Sequence, residues 1–387
     1  MINTVEGILG KLVSFPCLGG DSNLPIILWI DEYIQKLGVE TQLVYNDEKN
    51  KAGLHCRIGP AVDSGIILSG HTDVVPVEGQ AWDTDPFVLT DKNDGKLYAR
   101  GSCDMKGFVA CCLAALPDMI AADLEKPIYF AFSYDEEIGC LGAPYLIEAL
   151  QNFYTEKPKY AIIGEPSLMQ PMIGQKGIYV LDTYVNGSAG HSSRIKDEVS
   201  AIHEGTRLIL WLENKMNQLI ESGHIDDRFY PPHSTLHVGV AKGGIAFNVI
   251  ADQFHFQWDM RTIPQDTAYS IMAEFETYCR EREVEMRKKF QDFEIKNVEL
   301  HPPVVALDTA PDMPIVDLVK KLSGIDEWDT VSYAAEAGQF SEAGYQSIIC
   351  GPGSIAQAHR ANEFIAKSEL EKGMEFMSKL IEELLKK

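Results

Sequence analysis

Short apolar runs that stop abruptly at an acid or a histidine recur along this chain, and they constrain its fold more than any other feature. In "IILSGHTDVVP" (Ile66–Pro76) the run ends at His71, with Asp73 two residues on. "PIYFAFS" (Pro127–Ser133) leads to Asp135, Glu136 and Glu137, "YAIIG" (Tyr160–Gly164) to Glu165, and "QSIIC" (Gln346–Cys350) to a loop carrying His359. Apolar runs of about 4–8 residues bounded by turn residues are strands of a buried sheet. Between two of them, "MKGFVACCLAALPDMI" reads as a buried helix ending near Pro117. Strands alternating with helices predict a doubly wound α/β sheet covered on both faces. In such a sheet functional groups gather beyond the carboxyl ends of parallel strands. His71, Glu136, Glu137, Glu165 and His359 should therefore meet on one rim, joined by Asp104 from "ARGSCDMKG" at a helix N-terminus.

Singly, each of these residues reads as an ordinary loop acid or loop histidine; their shared position after apolar runs is what that reading leaves unexplained. Several carboxylates in one cleft repel one another unless cations neutralise them. Two imidazoles with carboxylates and no thiolate suit two zinc ions, with cobalt or manganese as substitutes. Two ions need a shared carboxylate, and Asp104 is the candidate. Adjacent side chains diverge, so one of Glu136 and Glu137 binds metal and the other carries a proton for the reaction. Asp73 suits an outer role, accepting from the non-ligating nitrogen of His71.

The middle of the chain has a different rhythm. "DQFHFQWDMR" (Asp252–Arg261) alternates at period two, with Phe254, Phe256, Trp258 and Met260 on one face. The order strand, helix, strand, strand, helix, strand predicts an inserted βαββαβ domain of ferredoxin-like α+β type. We place it at residues 177–298, with the main domain at 1–176 and 299–387; 387 residues are more than one core usually holds. Against 57 acidic residues stand 34 basic ones, a net charge of −23, which excludes nucleic acid and anionic membrane as natural partners. No secretory signal or membrane-spanning run is present, and the eight cysteines lack metal or disulfide spacing, so a reduced, cytoplasmic protein is expected.

"SGHTDVVP", "ARGSCDMKGF", "SYDEEIGC", "IGEPS" and "NGSAGHSS" resemble, in order and over nearly the whole chain, the signature blocks of the co-catalytic zinc deacylases and exopeptidases. The resemblance implies a zinc-exopeptidase α/β domain with an inserted lid through which two copies dimerise. It implies His71 and Glu165 on one zinc, Glu137 and His359 on the other, Asp104 bridging, and Asp73 behind His71. Glu136 would be the general base for hydrolysis of a small-molecule N-acyl amino acid by metal-activated water. His191 would reach a partner's site to hold the oxyanion, and Asn248 and Arg261 would contact substrate. Glu336 is added as the partner of a substrate side-chain ammonium.

Overall fold

The computed structural model describes residues 4–386 and divides the chain into two compact units. The first contains Met1–Gly174, Leu307–Thr330 and Ala335–Lys387; the second contains Gln175–Ala306 and Val331–Ala334. The insert is thus wider than the residues 177–298 read from the sequence. After its last strand the chain stays with the second unit, forming a bridge between Val304 and Ile178, and it returns at Val331 to accept from the Lys176 amide.

In the first unit, Thr41–Tyr45, Ala52–Ile58, Ile128–Ser133, Ile66–His71, Tyr160–Pro166 and Gln346–Gly351 lie side by side in that order. The last four run parallel, with His71 opposite Ser133, Ile66 opposite Tyr160 and Gln346 opposite Tyr160. Every residue of Ile66–His71 and of Ile128–Ser133 is buried, as strands covered on both faces require. The helix Lys106–Ala121 runs through Pro117 instead of stopping there. Proline lacks the N–H that would bond the carbonyl of Leu113, and the Tyr33 hydroxyl donates to that carbonyl at 3.4 Å instead. The lost ladder bond is replaced from outside, so the helix continues.

The second unit is a four-stranded antiparallel sheet in the order Thr235–Gly243, Gln253–Thr262, Gly177–Asn186, Glu294–Glu299. With the helices Ala201–Glu221 and Ala268–Met286 it has the predicted βαββαβ order. Phe256, Trp258 and Met260 form its core with Leu208, Leu212 and Phe275. That face lies in the core, with Phe256, Trp258 and Met260 buried and Phe254 half-buried, so it is not left half-exposed at the surface as an open antiparallel sheet would leave it. Among the large apolar side chains this unit exposes, Ile245 (87% exposed) and Phe247 (100%) lie together beside the short ladder of Gly190–His191 with Val249–Ile250.

A buried histidine away from the strand ends makes the fold pH-sensitive. His55, inside Ala52–Ile58, meets the Tyr154 hydroxyl at 3.1 Å and packs edge-on against Phe153 and Tyr154. Burial lowers its pKa from 6.5 to about 4. Between those values the unfolded chain binds a proton that the native state refuses, so stability rises with pH across the window. The contribution is complete above 6.5, is lost as pH falls through about 4, and amounts to ~3 kcal/mol. The expected result is that His55→Phe flattens the acid side of the stability curve in denaturant unfolding. Parallel curves for parent and variant would refute this role.

Candidate metal centre

His71 closes its strand and is buried. Its Nδ1 lies 3.0 Å from the Asp73 carbonyl oxygen and 3.6 Å from Asp73 Oδ1. The backbone oxygen, more than the expected carboxylate, thus sets the ring's tautomer. The Asp73 carboxylate does another job: Oδ1 and Oδ2 accept the backbone N–H groups of Glu136 and Glu137, each at 3.2 Å. It holds the loop that carries both acids. Asp135, with φ +55°, anchors the same loop from the other side through the Gly20 amide at 2.8 Å and the Lys51 ammonium.

The expected convergence is present. His71 Nε2 lies 3.2 Å from Asp104 Oδ1 and 3.7 Å from Glu165 Oε1. His359 Nε2 lies 2.9 Å from Glu137 Oε2 and 3.5 Å from Asp104 Oδ2. Asp104 therefore presents one oxygen to each histidine. Two groups, His71–Asp104–Glu165 and Asp104–Glu137–His359, each bring their ligand atoms within 4.8 Å of one another. Glu136 belongs to neither; its Oε2 is 4.0 Å from His71 Nε2, and the Cys140 thiol approaches its Oε1 at 3.5 Å. Glu165 lies inside its strand, Tyr160–Pro166, not after it.

Electrostatics show what this cluster lacks. Burial pushes Glu136 and Glu165 well above the usual carboxylate range, and burial with the Asp104 charge raises Glu137 to about 7. Burial also acts to raise Asp104, but hydrogen bonds and charge from His359 and His71 outweigh it and hold Asp104 low. Contacts with Asp104 and Glu137 raise His359 to about 10. Glu165 Oε1 is buried with no hydrogen-bond partner among the described residues although it faces His71 and Asp104. An orphaned carboxylate oxygen among imidazole nitrogens and carboxylates, with no thiolate in either group, fits divalent cations.

Over residues 67–383 the sequence matches the model of Peptidase family M20/M25/M40. The chain belongs to that family. It is a metal-dependent amidohydrolase. Acetylornithine deacetylase of Aliivibrio salmonicida (strain LFI1238) is 32% identical over 361 residues, spanning 93% of this chain and 92% of that protein. Among solved structures, the M20 family metallo-carboxypeptidase Sso-CP2 of Sulfolobus solfataricus superposes with a TM-score of 0.76 at 17% identity, covering 97% of each chain. The Bacillus subtilis YXEP protein, a dinuclear metal binding peptidase, gives 0.63 at 15% identity over 98% of each. At these identities the two structures establish the fold.

The remaining residues singled out in the sequence fall elsewhere. His191, Asn248 and Arg261 belong to the second unit. There His191 pairs with Val249, and the Ser192 amide donates to the Asn248 carbonyl at 3.0 Å, so His191 and Asn248 share one exposed corner. The Ser193 amide donates to His191 Nδ1 at 3.2 Å, which leaves Nε2 to carry the proton. Arg261 is half-buried on the strand Gln253–Thr262. Glu336 is 1% exposed; its Oε2 accepts from Ser69 at 3.3 Å, its Oε1 has no hydrogen-bond partner among the described residues, and burial raises it to about 7. Sequence reasoning passed over Cys140, Lys51 and the buried pair Arg100–Glu363, because charged and thiol side chains carry no mark of burial in a sequence.

Proposed function

We propose that the protein hydrolyses N2-acetyl-L-ornithine to L-ornithine and acetate, a step of arginine biosynthesis, with two zinc ions. What supports the reaction type is Asp104, shared between two ligand groups with an uncommitted carboxyl, Glu136, beside them. What supports the substrate is the similarity to the A. salmonicida deacetylase across 93% of the chain. In this reading His71 and Glu165 would hold one ion and Glu137 and His359 the other, with Asp104 available to both. When bound, such ions lower the pKa of water from 15.7 to roughly 7 and polarise the amide carbonyl.

The chain's own residues supply the rest. Glu136 takes a proton from the attacking water and returns it to the departing nitrogen, so the amine leaves neutral. Asp73 and Asp135 fix the loop that aims it. His191, with its proton on Nε2, donates to the oxyanion of a partner copy. Arg261, half-buried on the strand Gln253–Thr262, takes the substrate's α-carboxylate in a two-pronged pair. Asn248 adds a hydrogen bond, and Glu336 meets the side-chain ammonium.

Dimerisation through the second unit is proposed on the exposed Phe247 and Ile245 next to His191. Mixing a Glu136→Gln chain with a His191→Ala chain should restore activity that neither has alone; no restoration would rule out a histidine donated across subunits. A reducing, cytoplasmic setting is proposed on eight free, buried thiols. No helix among the described residues is long and apolar enough to cross a membrane.

The decisive experiment compares N-acetylornithine, N-succinyl-diaminopimelate and N-acetylcitrulline as substrates of zinc-loaded protein. N-acetylornithine should be the best by kcat/KM, and Glu336→Gln should narrow its lead over neutral N-acetylcitrulline by roughly tenfold or more, the effect of about 1.4 kcal/mol. Turnover of the succinyl compound alone would replace this reading with the desuccinylase one. An unchanged preference in the Gln variant would remove Glu336 from substrate recognition.

A further inference from the structure

Arg100 and Glu363 form an ion pair of 2.8 Å with both side chains only 1% exposed. Neither belongs to a ligand group, yet their hydrogen bonds reach both loops that carry Asp104 and His359. Glu363 Oε1 accepts the backbone N–H groups of Cys103 at 2.9 Å and Asp104 at 3.0 Å. Its Oε2 accepts from Gly101 at 3.0 Å and from Arg100 Nη1. The same Nη1 donates to the Arg360 carbonyl at 3.3 Å, and Nη2 donates to Gln80 Oε1 at 2.6 Å. The Gln80 amide then donates to the carbonyl of His359 itself at 3.0 Å. Antiparallel pairing of Phe364–Ala366 with Lys96–Tyr98 brings the two charges together from segments far apart in sequence.

A fully buried ion pair is a poor source of stability, since well-packed apolar side chains of similar volume often do as well. What apolar side chains cannot do is gather three backbone N–H groups of one loop on a single carboxylate and tie it to a second loop. We infer that Arg100 and Glu363 are positioning residues, a clasp that sets the distance between the Asp104 carboxylate and the His359 imidazole. The clasp thereby sets the affinity of the ion those two hold together. This rests on the two-metal reading above.

The test titrates chelator-stripped parent, Glu363→Gln and Gln80→Ala proteins with Co²⁺, following the visible d–d spectrum and the number of ions bound. Glutamine at 363 turns one acceptor oxygen into a donor facing other donors, so it loses two bonds in either orientation. The expected result is that the cobalt equivalent held with His359 binds roughly 10–100-fold more weakly, with an altered spectrum, while the other, which shares only Asp104, weakens less. Gln80→Ala leaves the ion pair in place and should weaken the same equivalent by about tenfold or less. It decides alone if Glu363→Gln does not fold. Parent-like cobalt affinity and spectrum in the folded variants would overturn the clasp and leave the metal centre standing. A parent that takes up no cobalt would overturn both.

Discussion

Replacing Glu136 by glutamine is expected to lower kcat by roughly 10²–10⁴-fold while leaving metal content unchanged. Glutamine has nearly the same shape, so the backbone bond from residue 136 to Asp73 at 3.2 Å and the approach of the Cys140 thiol survive. Only the capacity to accept and return a proton is lost. Metal content should hold because Glu136 stands outside both ligand groups. Neighbouring Glu137 gives the contrast: its Oε2 is 2.9 Å from His359 Nε2, so Glu137→Gln should release an ion as well as lose activity. Paired measurements of kcat and bound metal separate the two acids. Should Glu136→Gln retain kcat within tenfold of the parent, the proton would have to travel by another group.

Asp104→Asn should be the most damaging single change. Its two oxygens address different histidines, at 3.2 Å and 3.5 Å, so one substitution weakens both ligand groups. An amide offers one neutral oxygen where two charged ones stood. Both ions should be lost on gel filtration, and kcat/KM should fall at least roughly 10³-fold, as the loss of several kcal/mol of transition-state stabilisation requires. Elemental analysis beside the kinetics checks it. A variant that kept two ions per chain would remove Asp104 from the bridging position.

The position of the centre was legible because it follows from a simple rule. Parallel strands end on one side of a sheet, so residues immediately after apolar runs meet there, however distant in sequence. His71 and the pair Glu136–Glu137 obey this directly, and Glu165 does so as the penultimate residue of its strand. His359 was legible more weakly, since seven residues separate it from Gly351 and its own φ of +62° bends it back. The insert was legible through its period-two strand, where Phe256, Trp258 and Met260 had to share a face.

Other features had no local signature. That Asp73 would grip the Glu136–Glu137 backbone depended on two strand ends lying side by side. The helix crosses Pro117 because Tyr33, from another helix, donates to the Leu113 carbonyl. Patterns of apolar and polar residues report which way a side chain faces, because burial of apolar area is settled locally at every position. They do not report which polar atoms meet after folding. The sequence by itself therefore determined the layered sheet, the insert and the rim where ligands gather. Only the tertiary structure decided which carboxylate spans two histidines, which acid stays uncommitted, and which buried charges hold the loops, since those hydrogen bonds are set by distances between segments far apart in the sequence.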